Sequence, residues 1–254
     1  MKIYIDEAGR GPLAWPMYVG LVLVLWKFKK SDFKDSKILT EKQREESLSH
    51  IQKLQIQNKC LFTTWIATNK EIDKYWISSS LALAIARWLK DLLKNYYQTY
   101  IMNATTLCSC DVMDKMILDN FLNAKELKIE EYKTLLNKLE QFTWKIELII
   151  DWNRDFWLRK LFDLSVKTII DGDQKEPYIS MASIIAKVSR DHEMIKLAKK
   201  YPKHWLEKHK GYWTKFHTEM IKKYGPSSIH RNLFLKKMEW NTEKSIFKKL
   251  EIID

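Results

Sequence analysis

The chain opens with the stretch Lys2-Ile3-Tyr4-Ile5-Asp6-Glu7-Ala8-Gly9-Arg10-Gly11-Pro12, which places two adjacent carboxylates at the end of an apolar run. The alternation of Ile3 and Ile5 predicts a strand that ends in a Gly-Arg-Gly turn. A carboxylate pair suits a hard divalent cation. Glycines let a phosphate approach the backbone N–H groups of the turn, beside a guanidinium. The stretch predicts metal and phosphate chemistry, with a solvated acidic turn as the alternative that the residues alone leave open.

Composition indicates one globular chain that can bury a sizeable core. It has 254 residues, of which 46% are hydrophobic and 30% are charged. No apolar run approaches the ~20 residues that a membrane helix needs, and a carboxylate at position 6 comes too early for a signal peptide. We therefore expect a cytoplasmic protein with no membrane partner. The three cysteines, Cys60, Cys108 and Cys110, form neither a zinc pattern nor a disulfide framework, and we expect reduced thiols.

The net charge of +12 favours a polyanionic partner. Residues 187–223 are rich in lysine and histidine, and aromatic residues lie between them. Basic side chains with aromatic faces suit a nucleic-acid backbone and its stacked bases. Nucleic-acid binding is the interpretation we favour over a merely lysine-rich surface.

Periodicity predicts a mixed α/β sheet whose first strands are antiparallel. We predict strands at residues 2–6, 19–28, 60–68, 145–151 and 166–170. Helices are expected at 41–54, 78–97, 183–200, 214–223 and, more weakly, 236–250. Thr40 is a plausible N-cap for the first helix, with Gln43 completing a capping box. Residues 99–143 look like an inserted helical pair without visible chemistry.

Further carboxylates follow two of the later strands. Asp151 ends one of them, and Asp171 and Asp173 come after the next. A lone acidic residue after a strand is usually a turn former or a helix cap. Ligand sites on α/β sheets gather at strand ends, so three such positions favour a common acidic site.

Seven blocks in order resemble the ribonuclease HII family. They are residues 6–14 (DEAGRGPLA), 35–40 (DSKILT), 71–73 (EID), 172–173 (GD), 182–191 (ASIIAKVSRD), 209–212 (HKGY) and 225–231 (GPSSIHR). The resemblance implies a ribonuclease H-like fold, which is a mixed five-stranded sheet flanked by helices with a helical C-terminal part. It implies a catalytic domain at residues 1–200, including the 99–143 insertion, and a helical extension at 201–254 packed on the same domain.

The resemblance also implies an activity and its residues. The family is a metal-dependent endonuclease that hydrolyses the RNA strand of RNA–DNA hybrids and acts on single ribonucleotides in duplex DNA, as in ribonucleotide excision repair. It cuts 5′ of the ribonucleotide and leaves 3′-hydroxyl and 5′-phosphate ends. Its acidic ligands for two Mg²⁺ or Mn²⁺ ions map onto Asp6, Glu7, Asp151 and Asp173. Its substrate contacts map onto the loop Gly9, Arg10 and Gly11, which reads the 2′-hydroxyl, onto Tyr212, which stacks at the RNA–DNA junction, and onto the phosphate contacts Lys37 and Lys187.

Other acidic residues and oligomeric state complete these expectations. Asp171 has no ligand role in the family pattern. Asp191 is expected inside a helix, paired with Arg190 or another basic neighbour. We expect a monomer whose partners are RNA–DNA hybrids and duplexes with embedded ribonucleotides. The related ribonuclease HIII family is a weaker alternative, because it usually adds an N-terminal nucleic-acid-binding domain and the catalytic strand here begins at Lys2.

The chain departs from the family pattern at tryptophans. Tryptophan stands where the family ordinarily has glycine at Trp15, Trp76, Trp152, Trp205 and Trp213, in a chain with 11 tryptophans and 6 glycines. Tryptophan is a poor substitute at a turn that needs positive φ. Two interpretations remain open: an aromatic-rich core, or UGA codons that mean glycine in the source organism and were translated as tryptophan. A non-catalytic hybrid-binding protein with a blocked site is the alternative function.

Overall fold

The computed structural model describes residues 2–96, 146–152, 158–159 and 165–236. The insertion predicted at residues 99–143, both clustered cysteines and all but the first residue of the helix predicted at 236–250 lie outside these residues. Cys60 is a buried free thiol, and burial raises its pKa to about 11. Within the described ranges, no helix has the length and apolar character that crossing a membrane requires.

Five strands form one mixed sheet, as the sequence predicts. They are β1 (Lys2–Ala8), β2 (Met17–Val24), β3 (Cys60–Ala67), β4 (Glu147–Ile150) and β5 (Ser165–Thr168). Their order is β3-β2-β1-β4-β5. The strand β1 is antiparallel to β2 and parallel to β4, and β4 is parallel to β5. The carboxyl ends of β1, β4 and β5 therefore lie at one edge of the sheet.

Six α-helices are described around this sheet. They are α1 (Glu41–Ile56), α2 (Asn69–Tyr96), α3 (Gly172–Lys175), α4 (Pro177–Lys200), α5 (Leu206–His209) and α6 (Lys215–Tyr224). The capping box predicted for α1 is present, with the Thr40 side chain accepting from the Gln43 N–H. The helix α2 begins nine residues before the predicted start and is interrupted at Trp76. The helix α4 begins six residues early because a proline fits its first turn.

Strand alternation divides the core between the two faces of the sheet. Ile3 and Ile5 of β1 share a buried cluster with Leu81 and Ile85 of α2. Val22 of β2 faces the other way, into a cluster with residues of α1 and α4. These two layers flank the sheet.

The helix α4 lies unusually close to β2. A Cβ added to Gly20 would lie 2.1 Å from the Ala182 carbonyl oxygen, so only glycine permits this approach. The close packing fixes α4 against the sheet and thereby fixes the side chains that α4 sends towards the sheet edge.

Candidate metal centre

Three aspartates converge at the carboxyl edge of the parallel strands. Asp6 lies on β1, Asp151 follows β4 directly, and Asp173 lies in α3 after β5. One carboxylate oxygen from each residue lies within 4.8 Å of the others. The sheet topology alone explains the convergence, because neighbouring parallel strands end at the same edge.

Backbone and packing contacts hold the aspartates in place. Asp151 accepts hydrogen bonds from the Gly172 N–H at 2.7 Å and from the Asp173 N–H at 3.4 Å. A Cβ on Gly172 would lie 2.5 Å from a methyl group of Ile179, so α3 sits tightly between Asp151 and α4. The turn that carries Asp173 is thus fixed on the side chain of Asp151.

Burial and like charge oppose ionisation of Asp6. Burial is the largest cause and the charges of Asp151 and Asp173 add to it, so that the pKa of Asp6 is raised to about 7 even though a hydrogen bond from Ser183 lowers it. A divalent cation relieves this repulsion and favours the ionised carboxylates.

The donor set fits a hard divalent cation. Asp173 is 2% exposed, and its Oδ1 atom is buried without a hydrogen-bond partner. Its Oδ2 atom pairs with Lys37 Nζ at 2.7 Å. Carboxylate oxygens are the ligands that Mg²⁺ and Mn²⁺ prefer. An unpartnered buried oxygen beside two more carboxylates is thus a site that a cation would complete.

Glu7, the fourth ligand that the resemblance implies, has other partners. Its carboxylate accepts a hydrogen bond from the Trp152 indole N–H. It also pairs with Arg10 at 3.6 Å, and the Arg10 guanidinium lies 4.8 Å from the centre of the Trp152 ring. The pKa of Glu7 is raised well above its ordinary value by burial first and by Asp6 second. Trp152 therefore occupies the Glu7 carboxylate.

The two acidic residues that we did not expect to be ligands, Asp171 and Asp191, do not belong to the converged group. Asp171 is exposed and adopts a left-handed conformation before α3. Asp191 lies in α4 and pairs with Lys187 at 2.8 Å and with Arg44 at 4.0 Å. Its ion pairs are thus formed with Lys187 and Arg44.

The predicted junction tyrosine lies among cations. Tyr212 is 38% exposed, and its ring lies 5.5 Å from Lys187 Nζ and 5.2 Å from the Arg190 guanidinium. Lys187 is thus shared between Asp191 and the tyrosine face. An exposed aromatic ring with cations against it can accept a stacked base.

A buried histidine cluster supports the Tyr212 backbone. His217 Nδ1 donates to the Tyr212 carbonyl at 3.0 Å, and its Nε2 lies 3.2 Å from His230 Nε2. Because His217 donates from Nδ1, its Nε2 accepts from His230 Nε2 when the His217 ring is neutral. Burial lowers the pKa of His217 to about 3 and that of His230 to about 4. Sequence reasoning did not identify this support.

The loop at residues 9–11 is supported by Arg231, which the sequence analysis did not single out. Arg231 is fully buried and donates hydrogen bonds to the Gly9 and Arg10 carbonyls. Gly9 has φ +96, and a Cβ there would lie 2.3 Å from Arg190 Nε, so glycine is required. The only sequence signal for Arg231 was its place at the end of the last family block.

A family model described as Ribonuclease HII matches residues 3–243. The ribonuclease HII of Fusobacterium nucleatum subsp. nucleatum is 35% identical over 246 residues, which cover 96% of this chain and 90% of the relative. That of Caldicellulosiruptor bescii is 33% identical over 232 residues, with 91% and 85% covered.

Solved structures show the same fold. A chain of the PCNA:RNase HII complex from Archaeoglobus fulgidus is similar with a TM-score of 0.55 and 20% identity, over 93% of this chain and 94% of that one. Ribonuclease H2 from Pyrococcus horikoshii OT3 gives a TM-score of 0.51 and 23% identity, over 91% and 92%. These similarities confirm the predicted fold class.

Proposed function

The chain belongs to the ribonuclease HII family and is a ribonuclease H, and we propose that it cuts duplex DNA at single embedded ribonucleotides as well as RNA–DNA hybrids. The cut falls 5′ of the ribonucleotide and leaves a 3′-hydroxyl and a 5′-phosphate, which opens the strand for ribonucleotide excision. The observation that carries the proposal is the convergence of Asp6, Asp151 and Asp173, with one buried oxygen unpartnered.

The aspartate cluster holds the metal in this proposal. A divalent cation, Mg²⁺ or Mn²⁺ and two in the full arrangement, supplies water activation and neutralises phosphate charge. Asp6, Asp151 and Asp173 would hold it, and Glu7 would be the fourth ligand if its carboxylate left the Trp152 indole. Since the pKa of Asp6 is raised to about 7, a bound cation would favour the ionised form of this carboxyl group.

Lys37 is placed to act on the substrate phosphate. Its ammonium pairs with Asp173, while its side chain is 69% exposed. A cation that takes over Asp173 would release Lys37 towards the open side of the site. The released ammonium then offsets the repulsion between a phosphate and the carboxylates.

Recognition of the ribonucleotide falls to two other elements in this proposal. The backbone of Gly9, Arg10 and Gly11 reads the 2′-hydroxyl, which is the group that separates RNA from DNA at one nucleotide. Tyr212 stacks at the junction, and Lys187 beside it contacts a backbone phosphate. Support comes from the exposed ring and its adjacent cations.

A cleavage assay on one defined duplex tests the proposal. The substrate is a DNA duplex with one ribonucleotide, incubated with Mg²⁺, with Mn²⁺ or with EDTA, and the matched control is the same duplex without the 2′-hydroxyl. We expect metal-dependent cleavage of the first duplex alone, at the phosphate 5′ of the ribonucleotide. Cleavage on the 3′ side, equal cleavage of the all-DNA duplex, or cleavage in EDTA would contradict the proposal.

The same assay separates the enzyme from the non-catalytic alternative. Tight hybrid binding without cleavage in either metal would favour a site blocked at Trp152, whose indole holds Glu7. In that case Trp152→Gly should restore cleavage, because the Glu7 carboxylate would be free to face the cluster.

A further inference from the structure

A fully buried arginine, Arg231, holds the loop at residues 9–11 through hydrogen bonds. The Arg231 side chain is 0% exposed. Its Nε donates to the Trp15 carbonyl at 2.8 Å, one terminal nitrogen donates to the Arg10 carbonyl at 2.7 Å, and the other donates to the Gly9 carbonyl at 2.6 Å. All three acceptors belong to the chain segment that leaves β1.

These hydrogen bonds fix the direction of two peptide groups. No peptide bond in the described residues is cis, and in a trans peptide the C=O and the following N–H point in opposite directions. Because the Gly9 and Arg10 carbonyls point to Arg231, the Arg10 and Gly11 N–H groups point away from it. Both of those residues are exposed, and a Cβ on Gly11 would have nothing within 4 Å.

Arginine is the side chain best suited to donate hydrogen bonds to these three carbonyl groups. Burying a guanidinium is unfavourable unless its donors are satisfied, and here three donors in a planar fan meet three carbonyls. A lysine ammonium keeps the charge but lacks the fixed fan of donors.

We propose that Arg231 is a positioning residue for ribose selectivity, which turns the Arg10 and Gly11 N–H groups outward so that they meet the 2′-hydroxyl oxygen. The inference rests on the proposed cleavage at embedded ribonucleotides. It predicts that loosening the loop removes the preference for a ribonucleotide and leaves general duplex binding in place.

The test compares two dissociation constants, both in EDTA. One duplex carries a single ribonucleotide, the other is its all-DNA counterpart, and the variants are Arg231→Lys and the control Arg159→Lys. Arg159 also donates to a backbone carbonyl, that of Val166, outside the loop. We expect Arg231→Lys to abolish the preference of the parent for the ribonucleotide duplex, with the all-DNA constant within about twofold, while Arg159→Lys keeps the preference.

Each result points to one step of the reasoning. A parent that shows no preference removes the premise of 2′-hydroxyl recognition and with it the role of Arg231. A preference retained in Arg231→Lys, or equal weakening of both duplexes, overturns the positioning role alone and leaves the proposed cleavage standing.

A second, independent observation concerns the backbone at three tryptophans. Trp15, Trp76 and Trp205 have φ of 72°, 66° and 51°. A bulky residue at positive φ is a true outlier. Trp76 also has ψ of 166°, inside α2, and that combination is adopted essentially by glycine alone.

The tryptophan side chains provide little compensation for this backbone. Trp76 is 59% exposed and Trp205 is 42% exposed, although tryptophan normally buries most of its ring. The Trp15 indole nitrogen is buried without a hydrogen-bond partner. Meanwhile the chain has only 6 glycines in 254 residues, well below the usual ~7%.

We infer that the native polypeptide carries glycine at positions 15, 76 and 205, because the codon translated here as tryptophan is read as glycine in the source organism. Peptide masses of the protein isolated from its source cells test this directly. Glycine mass at all three positions is expected, and tryptophan mass at any one of them overturns the inference.

Variants of the recombinant chain test the physical argument behind it. Trp76→Gly should raise the melting temperature by several degrees, and Trp76→Ala should raise it less, because alanine shares the positive-φ penalty. The matched control is Trp88→Gly in the same helix, where a fully buried ring is lost and the melting temperature should fall. Equal effects of Trp76→Gly and Trp76→Ala would overturn the backbone argument.

Discussion

Without divalent cations, the contribution of Asp6 to stability should fall as the pH rises to about 7. The pKa of this carboxyl group is raised, by burial first, from 3.8 in the unfolded chain to about 7 in the fold. Between these values the folded protein holds a proton that the unfolded chain has released. The contribution is fully present below about pH 4 and is lost as the pH rises through about 7.

The size of the effect follows from the two pKa values. A difference of about three pH units corresponds to about 4 kcal/mol of unfolding free energy. For a chain of this size that is a fall of roughly 10 °C in melting temperature. The raised pKa of Glu7 acts in the same direction. His217 and His230 act in the opposite direction, because their lowered pKa values remove stability as the pH falls below about 6.5.

The assay is thermal unfolding in EDTA between about pH 5 and pH 8. The difference in stability between the parent and Asp6→Asn separates the contribution of Asp6 from that of the histidines. We expect this difference to change by about 2–3 kcal/mol across the range, and Mg²⁺ or Mn²⁺ at pH 8 to restore the stability of the parent. Asp171→Asn is the control: the residue is exposed and left-handed, a conformation that asparagine tolerates. If the difference in melting temperature between the parent and Asp6→Asn were the same at every pH, the role of Asp6 would be refuted. It would also be refuted if Asp171→Asn reproduced the effect of Asp6→Asn.

Three further outcomes are expected. Asp151→Asn or Asp173→Asn should lower the cleavage rate by at least about a hundredfold. Hybrid binding in a filter or anisotropy assay should be kept or improved, because negative charge facing the phosphates is removed. Activity within a few-fold of the parent would contradict the metal site. Tyr212→Ala should lower cleavage at a single ribonucleotide more than it lowers duplex affinity, since stacking is worth about 1–3 kcal/mol at one base; a uniform loss of affinity would count against the junction role. Gly20→Ala should destabilise the fold by about 1–3 kcal/mol in chemical denaturation, because its Cβ would lie 2.1 Å from the Ala182 carbonyl oxygen; an unchanged midpoint would contradict the tight contact between α4 and β2.

Much of the fold was predictable because it depends on local periodicity. The five strands and the Thr40–Gln43 capping box follow from alternation and from capping chemistry, and both are confirmed. The early start of α4 was missed because Pro177 was not used as an initiation signal. The break in α2 at Trp76 could not come from periodicity, since a single backbone conformation leaves the hydrophobic pattern on both sides intact.

The candidate site was likewise predictable only in part. Strand ends bring Asp6, Asp151 and Asp173 together, so their convergence needed only the topology. Glu7 shows the limit of that reasoning: successive side chains on a strand point to opposite faces, so a carboxylate adjacent to Asp6 in sequence starts out directed away from it. Its indole and guanidinium partners then hold it there. A ligand role for Glu7 therefore requires those two contacts to open. Whether residue 152 is tryptophan or glycine thus bears directly on whether Glu7 can bind the metal.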